Sequence, residues 1–319
     1  MTPRGDGDGG RAPRRPLLRG LTILGLAAAG VVGVGGWRYV REAQAPPFDP
    51  ATTELAFEEL GPGPRRMILL HGLAASSRYW TGRVGPLLGD HRLLIPDLLG
   101  FGDSPKPRAR YDLHDHLAAL EKLVREQHFD GGHAIVTGHS LGAVLALAML
   151  GQRPEWFDGA VLIALPAFRS EAEAIARLRP SPMDRGMLTN AWWVRAGHYL
   201  EPLFQVPWLA PLFDLPRDVY LDSFRHTWNS AAGTLRETIV QADYPAFLAR
   251  TGDRPILFIH GGRDDVAPVE VTRTLAGERP HTRFAVIPEA DHQVPLRDPD
   301  RVWALVREFE REVLGEPSR

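Results

Sequence analysis

The sequence contains no cysteine. That absence excludes a disulfide framework, thiolate catalysis and every cysteine-ligated zinc or iron–sulfur centre. It says nothing of redox compartment, because a cysteine-free chain suits either. Lysine is nearly as scarce: of 37 basic residues only Lys106 and Lys122 are lysines. Net charge is small, −2 over 319 residues, and it is unevenly placed. Residues 1–45 hold seven arginines against three acids, which leaves +4 there and −6 on the remainder. An acidic body does not attract a phosphate backbone, so nucleic acid is not an expected partner. There is no internal repeat of fixed period. With 44% hydrophobic residues the chain has material for a sizeable core, and its composition is globular rather than disordered, collagenous or multi-span.

One long uncharged run exists. Eighteen residues, 20–37, separate Arg19 from Arg38. As a helix they span about 27 Å, close to the hydrocarbon thickness of a bilayer, although six glycines weaken both hydrophobicity and helix propensity. The length favours a signal anchor over residues 1–41. The arginine excess before the run keeps the amino terminus inside and sends the rest across, so the expected location is membrane-anchored with an extracytoplasmic body. Two other readings stand beside it. Arg14-Arg15 looks like a twin-arginine export signal, with Ala43-Gln44-Ala45 as a cleavage pattern that Pro46 hinders; cleavage would release a soluble exported protein. The third is a Gly/Arg tail with a buried apolar helix. Residues 42–52, rich in Pro and Ala, read as a short stiff linker.

From about residue 53 strand and helix patterns alternate. Apolar runs predict strands at 54–60, 67–70, 93–96, 134–137, 160–164, 256–259 and 283–287, with helices between them. Several runs are apolar throughout, as strands covered on both faces require, so the expected fold class is α/β, a doubly wound and mostly parallel sheet. The alternation lapses over 167–245, which is proline-rich and carries Trp192, Trp193, Trp208 and Trp228. This stretch is expected as a helical lid inserted into a core formed by 53–166 and 246–319.

The sharpest motif is Gly138-His139-Ser140-Leu141-Gly142, between the strand AIVT and the helix LGAVLALAML. A strand-to-helix turn of this kind presents a serine Oγ above the sheet edge at the positive end of a helix, where the Leu141 N–H can meet an oxyanion. A serine hydroxyl needs a base, and the base an orienting acid. Both follow in the order Ser…Asp…His: Asp264 or its neighbour Asp265 after the strand ILFIH, and His292 after the strand FAVIP. The other histidines fit less well. His114 and His116 lie on different faces of one helix and make no metal pair. The second oxyanion donor is expected from the loop His71-Gly72-Leu73, with Leu73 N–H the candidate. His71, Gly72, His139, Trp192 and Trp193 are candidates for substrate contact.

Taken together, LHGL at 70–73, Asp97-Leu98-Leu99-Gly100-Phe101-Gly102-Asp103-Ser104, GHSLG at 138–142, Gly261-x-x-Asp264-x-x-x-Pro268 and Asp291-His292 make the chain resemble the α/β-hydrolase fold superfamily over roughly residues 53–313. The resemblance implies Ser140, Asp264 and His292 as triad, with Leu73 and Leu141 as oxyanion donors. It favours Asp264 over Asp265. Two departures stand out: the sheet is short of one edge strand before Glu54, and Asp291 occupies a position where the family more often has Gly, an extra carboxylate that would raise the His292 pKa.

The expected activity is that of a serine hydrolase cleaving carboxylic esters of an apolar acyl or aryl substrate through an acyl-enzyme, similar to esterases and monoacylglycerol-lipase-type members. No metal or redox cofactor is expected. A carbon–carbon bond hydrolase or a cofactor-free perhydrolase would share every motif, and a non-catalytic ligand-binding receptor is the alternative from a different class.

Overall fold

Side chains that alternate along a strand must find apolar partners on both faces of a doubly covered sheet, and here they do. In strand β2 (Arg65–Leu70), Met67 and Leu69 join one buried cluster while Ile68 and Leu70 join another. Leu93 and Ile95 against Leu94 divide strand β3 (His91–Pro96) in the same way. The remaining strands are β1 (Phe57–Leu60), β4 (Ala134–His139), β5 (Phe157–Ile163), β6 (Ile256–Gly261) and β7 (Thr282–Ile287), so each of the seven expected runs forms a strand. These come from a computed structural model that describes residues 30, 32–178, 182–201, 205–267, 269–277 and 279–314.

The sheet order is β1-β3-β2-β4-β5-β6-β7. Only β1 is antiparallel, pairing Phe57 with Pro96 at the edge. No strand flanks it among the described residues, in keeping with the expected short edge. Because β3 lies on one side of β2 and β4 on the other, the winding reverses between β2 and β4, and a crevice opens at their carboxyl ends. Leu70 pairs with Gly138 there, which sets the loop after β2 beside the turn after β4.

Helices cover both faces. The first face carries α3 (Leu113–Glu126) and α4 (Leu141–Gln152), and the second carries α11 (Pro299–Leu314) with α2 (Arg78–Thr81). Ten residues of α4 are buried, so this helix runs inside the molecule and its sequence shows no polar face. Complete burial of each Leu, Ile or Val side chain stabilises by about 1.5–3 kcal/mol relative to exposure.

Between β5 and β6 lie α5 (Glu171–Leu178), α6 (Pro182–Leu188), α7 (Trp192–Leu200), a 3-10 turn (Pro207–Phe213), α8 (Arg217–Asp222), α9 (Trp228–Gly233), a π-helical turn (Thr234–Val240) and α10 (Tyr244–Arg250). Ion pairs fasten this excursion to the core. Asp222 accepts from Arg78 Nη1 at 2.7 Å, and Arg297 Nη2 bridges Asp214 at 2.8 Å and Asp291 at 2.7 Å.

The amino-terminal expectations fare unevenly. Of the uncharged run only residues 30 and 32–37 are described, and Arg14-Arg15 lies outside the described residues. Residues 32–43 form a helix, α1, and no helix among the described residues is long and apolar enough to cross a membrane. The segment 42–52, expected as a linker, lies against the body over residues 42–48. Glu42 is buried, accepting from Tyr199 Oη at 3.0 Å and Asn229 N at 2.8 Å. Phe48 N donates to the Arg108 carbonyl at 2.9 Å, and Arg108 N to that of Pro46 at 2.8 Å. The segment is docked on the body by hydrogen bonds that its composition did not announce.

Candidate active site

The turn after β4 forces Ser140 into a conformation that L-residues seldom adopt, φ 53° and ψ −115°. Such a backbone costs about 1–3 kcal/mol and persists only where its surroundings fix it. The flanking glycines show why. A Cβ on Gly138 would stand 2.0 Å from the Gly142 carbonyl oxygen, and one on Gly142 would stand 2.2 Å from that of Leu70. The chain can cross itself this closely only with hydrogen at both positions, and the crossing lifts Ser140 above the sheet edge. Ser140 N donates to the Ile163 carbonyl at 2.9 Å, pinning the turn to β5.

Strands β6 and β7 pair Gly261 with Ile287, so the loops beyond them leave the sheet together. They bring Asp264 and His292 into register with Ser140. His292 Nδ1–H donates to Asp264, 2.9 Å from Oδ2 and 3.1 Å from Oδ1. With its proton on Nδ1, the ring turns an Nε2 lone pair to Ser140 Oγ at 3.0 Å. Burial tends to raise the Asp264 pKa, but the bond and charge of His292 and the N–H groups of Ala267 (2.8 Å) and Val266 (2.9 Å) outweigh it, and the carboxyl is held below its ordinary value. Asp265 is exposed, so of the two adjacent acids the structure brings only Asp264 to the histidine.

Two further histidines are buried and neutral. His71 Nε2 accepts from Leu98 N at 2.9 Å, so its proton sits on Nδ1 and is donated to the Gly72 carbonyl at 2.7 Å. Burial lowers its pKa. Both nitrogens are thus occupied in shaping the Gly72–Leu73 loop, and His71 does not line the cavity; its candidacy for substrate contact is corrected to a supporting position. His139 has its pKa lowered to about 3, chiefly by burial. It stacks on Tyr79 at 4.8 Å and 14°, and its Nε2–H donates to the His292 carbonyl at 2.8 Å.

A cavity of about 260 Å³ opens over Ser140 and His292. Gly72, Leu73 and His139 line it, together with Phe168, Leu215, Val219, Leu235 and Ile239. Leu141 opens α4, where the first-turn N–H groups have no partner within the helix. The cavity is mostly apolar, with Asp184, Ser223 and Gln293 as polar exceptions. Sequence reasoning missed Gln293, whose Oε1 accepts from Tyr79 Oη at 3.1 Å. Its adjacency to His292 was the available signal. Trp192 and Trp193 correct an expectation: they are 79% and 56% exposed and lie on no wall of this cavity. Asp291 accepts from Arg297 Nε at 2.9 Å and from the Gln293 N–H at 2.8 Å. Asp97, the first residue of the DLLGFGDS motif, accepts from Ser77 N and Asp103 N at 2.6 Å each and so braces the loop after β3.

A family profile described as the alpha/beta hydrolase fold matches residues 65–299. The chain belongs to the α/β-hydrolase fold family. Among relatives of this α/β hydrolase, probable lysophospholipase BODYGUARD 4 of Arabidopsis thaliana is 30% identical over 251 residues, covering 71% of this chain and 59% of the plant protein. The chain therefore spans little more than half the length of that relative. A Mycobacterium tuberculosis protein of undescribed activity is 25% identical over 274 residues, covering 80% of this chain and 77% of its own length. Among solved structures, a thermophilic esterase from Thermogutta terrifontis superposes with TM-score 0.62 at 25% identity, covering 81% of this chain and 93% of that one. An ancestral haloalkane dehalogenase superposes with TM-score 0.64 at 19% identity, over 82% of this chain and 96% of its own; that likeness concerns the fold alone.

Proposed function

We propose that this α/β hydrolase cleaves carboxylic esters whose acyl or aryl portion is apolar, through an acyl-enzyme on Ser140. The observation that carries the reading is the chain Asp264–His292–Ser140, with contacts of 2.9 and 3.0 Å, opening into an apolar cavity. His292 Nε2 takes the Ser140 proton as Oγ attacks the ester carbonyl, and the N–H groups of Leu73 and Leu141 receive the oxyanion. Losing one such donor typically costs about 3 kcal/mol of transition-state stabilisation. Collapse expels the alcohol, which takes its proton from His292. Water, deprotonated by the same nitrogen, then releases the acid.

The substrate proposed is a lipid-like ester, and the printed name of the plant relative, a probable lysophospholipase, supports that class. The helices between β5 and β6 serve in this reading as the lid over the cavity. Their exposed Trp192, Trp193, Trp208, Leu212 and Phe213, with Trp37 and Tyr39 on α1, are the side chains that favour a membrane–water interface. They favour contact of the body with a bilayer surface; anchoring through residues 1–41 with the body on the extracytoplasmic side is proposed from the uncharged run and the arginine excess before it.

Two measurements test the proposal. A serine-directed fluorophosphonate should label the wild type and leave Ser140→Ala unlabelled. Among p-nitrophenyl esters, kcat/KM should rise with acyl length until the cavity is filled. An unlabelled wild type refutes the hydrolytic reading, and equal turnover of short and long chains refutes the apolar substrate. For placement, external protease digestion of intact cells should remove the body; a protected body refutes the orientation.

A further inference from the structure

A second cavity, of about 970 Å³, shares no lining residue with the catalytic one. It lies between α1, α7 and the segment 224–227, and two histidines, His198 and His226, reach it. His198 and Glu201 are three residues apart at the end of α7, hence on one face, and His226 approaches from the segment before α9.

From His198, Glu201 and His226 we infer a divalent transition-metal site, of the kind zinc occupies, that clamps α7 to the segment before α9. One ligand atom from each residue lies within 4.8 Å of the others. His198 is 3% exposed, and its Nε2 has no hydrogen-bond partner among the described residues. Its Nδ1 forms an ion pair with Glu201 Oε2 at 2.9 Å, and that buried oxygen has no aligned hydrogen-bond donor among the described residues. The two atoms converge at ion-pair distance, the imidazole nitrogen and the carboxylate oxygen facing one position. The His226 ring lies nearly parallel to that of His198, 5.1 Å away, and its Nδ1–H donates to the Thr227 carbonyl at 3.3 Å. That bond leaves the Nε2 lone pair for a ligand, the outer arrangement usual for metal-binding imidazoles.

Two imidazole nitrogens and one carboxylate oxygen suit zinc and its neighbours better than magnesium or calcium. Zinc bonds of about 2.0–2.1 Å set tetrahedral donors about 3.4 Å apart, so movements on the order of an ångström close the site. Three protein donors leave a fourth position for water. Arg38, whose Nη1 donates to the His198 carbonyl at 3.4 Å, brings a cation near Glu201 and opposes the metal's charge. The affinity should therefore fall below that of a closed four-ligand site. The function inferred is structural: a cross-link between α7 and the segment that also carries Arg225, partner of Asp222.

The experiment uses the full chain, stripped with a chelator and titrated with zinc chloride alone, following both calorimetric heat and Tm. One saturable site is expected, with Tm rising as zinc rises. Glu201→Gln and His226→Ala should each weaken binding at least tenfold, whereas His292→Ala and His114→Ala should retain it. Cobalt(II) should give the intense visible absorption of a four-coordinate site, lost in the same two variants. Should His226→Ala prove unstable, His226→Gln keeps the polar bulk of the side chain without the imidazole and takes its place in both measurements. Absence of saturable zinc binding, or binding equal in wild type, Glu201→Gln and the His226 variant, overturns the site. Fluorophosphonate labelling of Ser140 should not change across the Glu201 and His226 variants, which separates this result from the proposed hydrolysis.

Discussion

The Nε2–H of His139 donates to the backbone carbonyl of His292 at 2.8 Å. The residue before the nucleophile thus holds the main chain of the base, and the turn after β4 and the loop after β7 are built as one unit. Burial lowers the His139 pKa to about 3, so the ring adds no positive charge beside His292. His139→Phe keeps an aromatic ring against Tyr79 and removes the donor. The expected outcome is a fall of about tenfold in kcat, the scale of one lost hydrogen bond, with KM little changed. Steady-state kinetics on one ester checks it, and an unchanged kcat refutes the positioning role.

Asp264→Asn isolates the orienting acid. The backbone N–H groups of Val266 and Ala267 still have an oxygen to bond, so the loop should keep its shape. The amide, however, can present an N–H to His292 Nδ1 and favour the wrong tautomer. On the precedent of serine-protease triads, kcat should fall by roughly four orders of magnitude, with Tm near that of the wild type. A loss below tenfold would return Asp265 to contention.

Glycine placement gives a paired stability test. Gly138→Ala puts a Cβ 2.0 Å from a backbone oxygen that cannot move without breaking the turn. The variant should be recovered poorly or with a strongly lowered Tm. Gly197 lies inside α7, and a Cβ added there would meet nothing within 4 Å, so Gly197→Ala should stabilise by about 0.5–1 kcal/mol. Thermal unfolding of both proteins decides the matter.

Much of this molecule was legible before its fold was known, for identifiable reasons. Strands covered on both faces read as unbroken apolar runs, and the Ser140 turn demands glycines at fixed offsets. Asp264 and Asp265 were separable only through resemblance, because adjacent residues leave a strand end together and burial of one decides between them. Trp192 and Trp193 misled because an aromatic pair in a helical insertion reads equally well as lining or as surface. The docking of residues 42–48 was illegible since it rests on backbone bonds to Arg108 and on a buried Glu42, neither of which leaves a periodic pattern. Gln293 carried no signal beyond its position, and its role follows from the bond it accepts from Tyr79 Oη.

Acid sensitivity follows from the buried histidines. Burial lowers the pKa of His116 and His139 to about 3 and that of His260 to about 4, whereas in the unfolded chain each titrates near 6.5. Between these limits the unfolded state binds protons that the folded state refuses. Stability therefore falls as pH drops from about 6.5 toward 4; these three rings contribute a slope approaching three protons, and the buried His71 and His226, also lowered, add to it in the same sense. The lowered Asp264 pKa adds to the loss only at more acidic pH, as that carboxylate itself becomes protonated. Denaturant unfolding at pH 7.5, 5.5 and 4.5 should give a midpoint that declines steeply over the lower interval. His116 sits against Thr234 Oγ1 at 2.9 Å, away from the catalytic triad, so His116→Gln should flatten the decline by about one proton while leaving ester turnover near neutral pH unaltered. A midpoint independent of pH across this range would show that these rings are hydrated in solution.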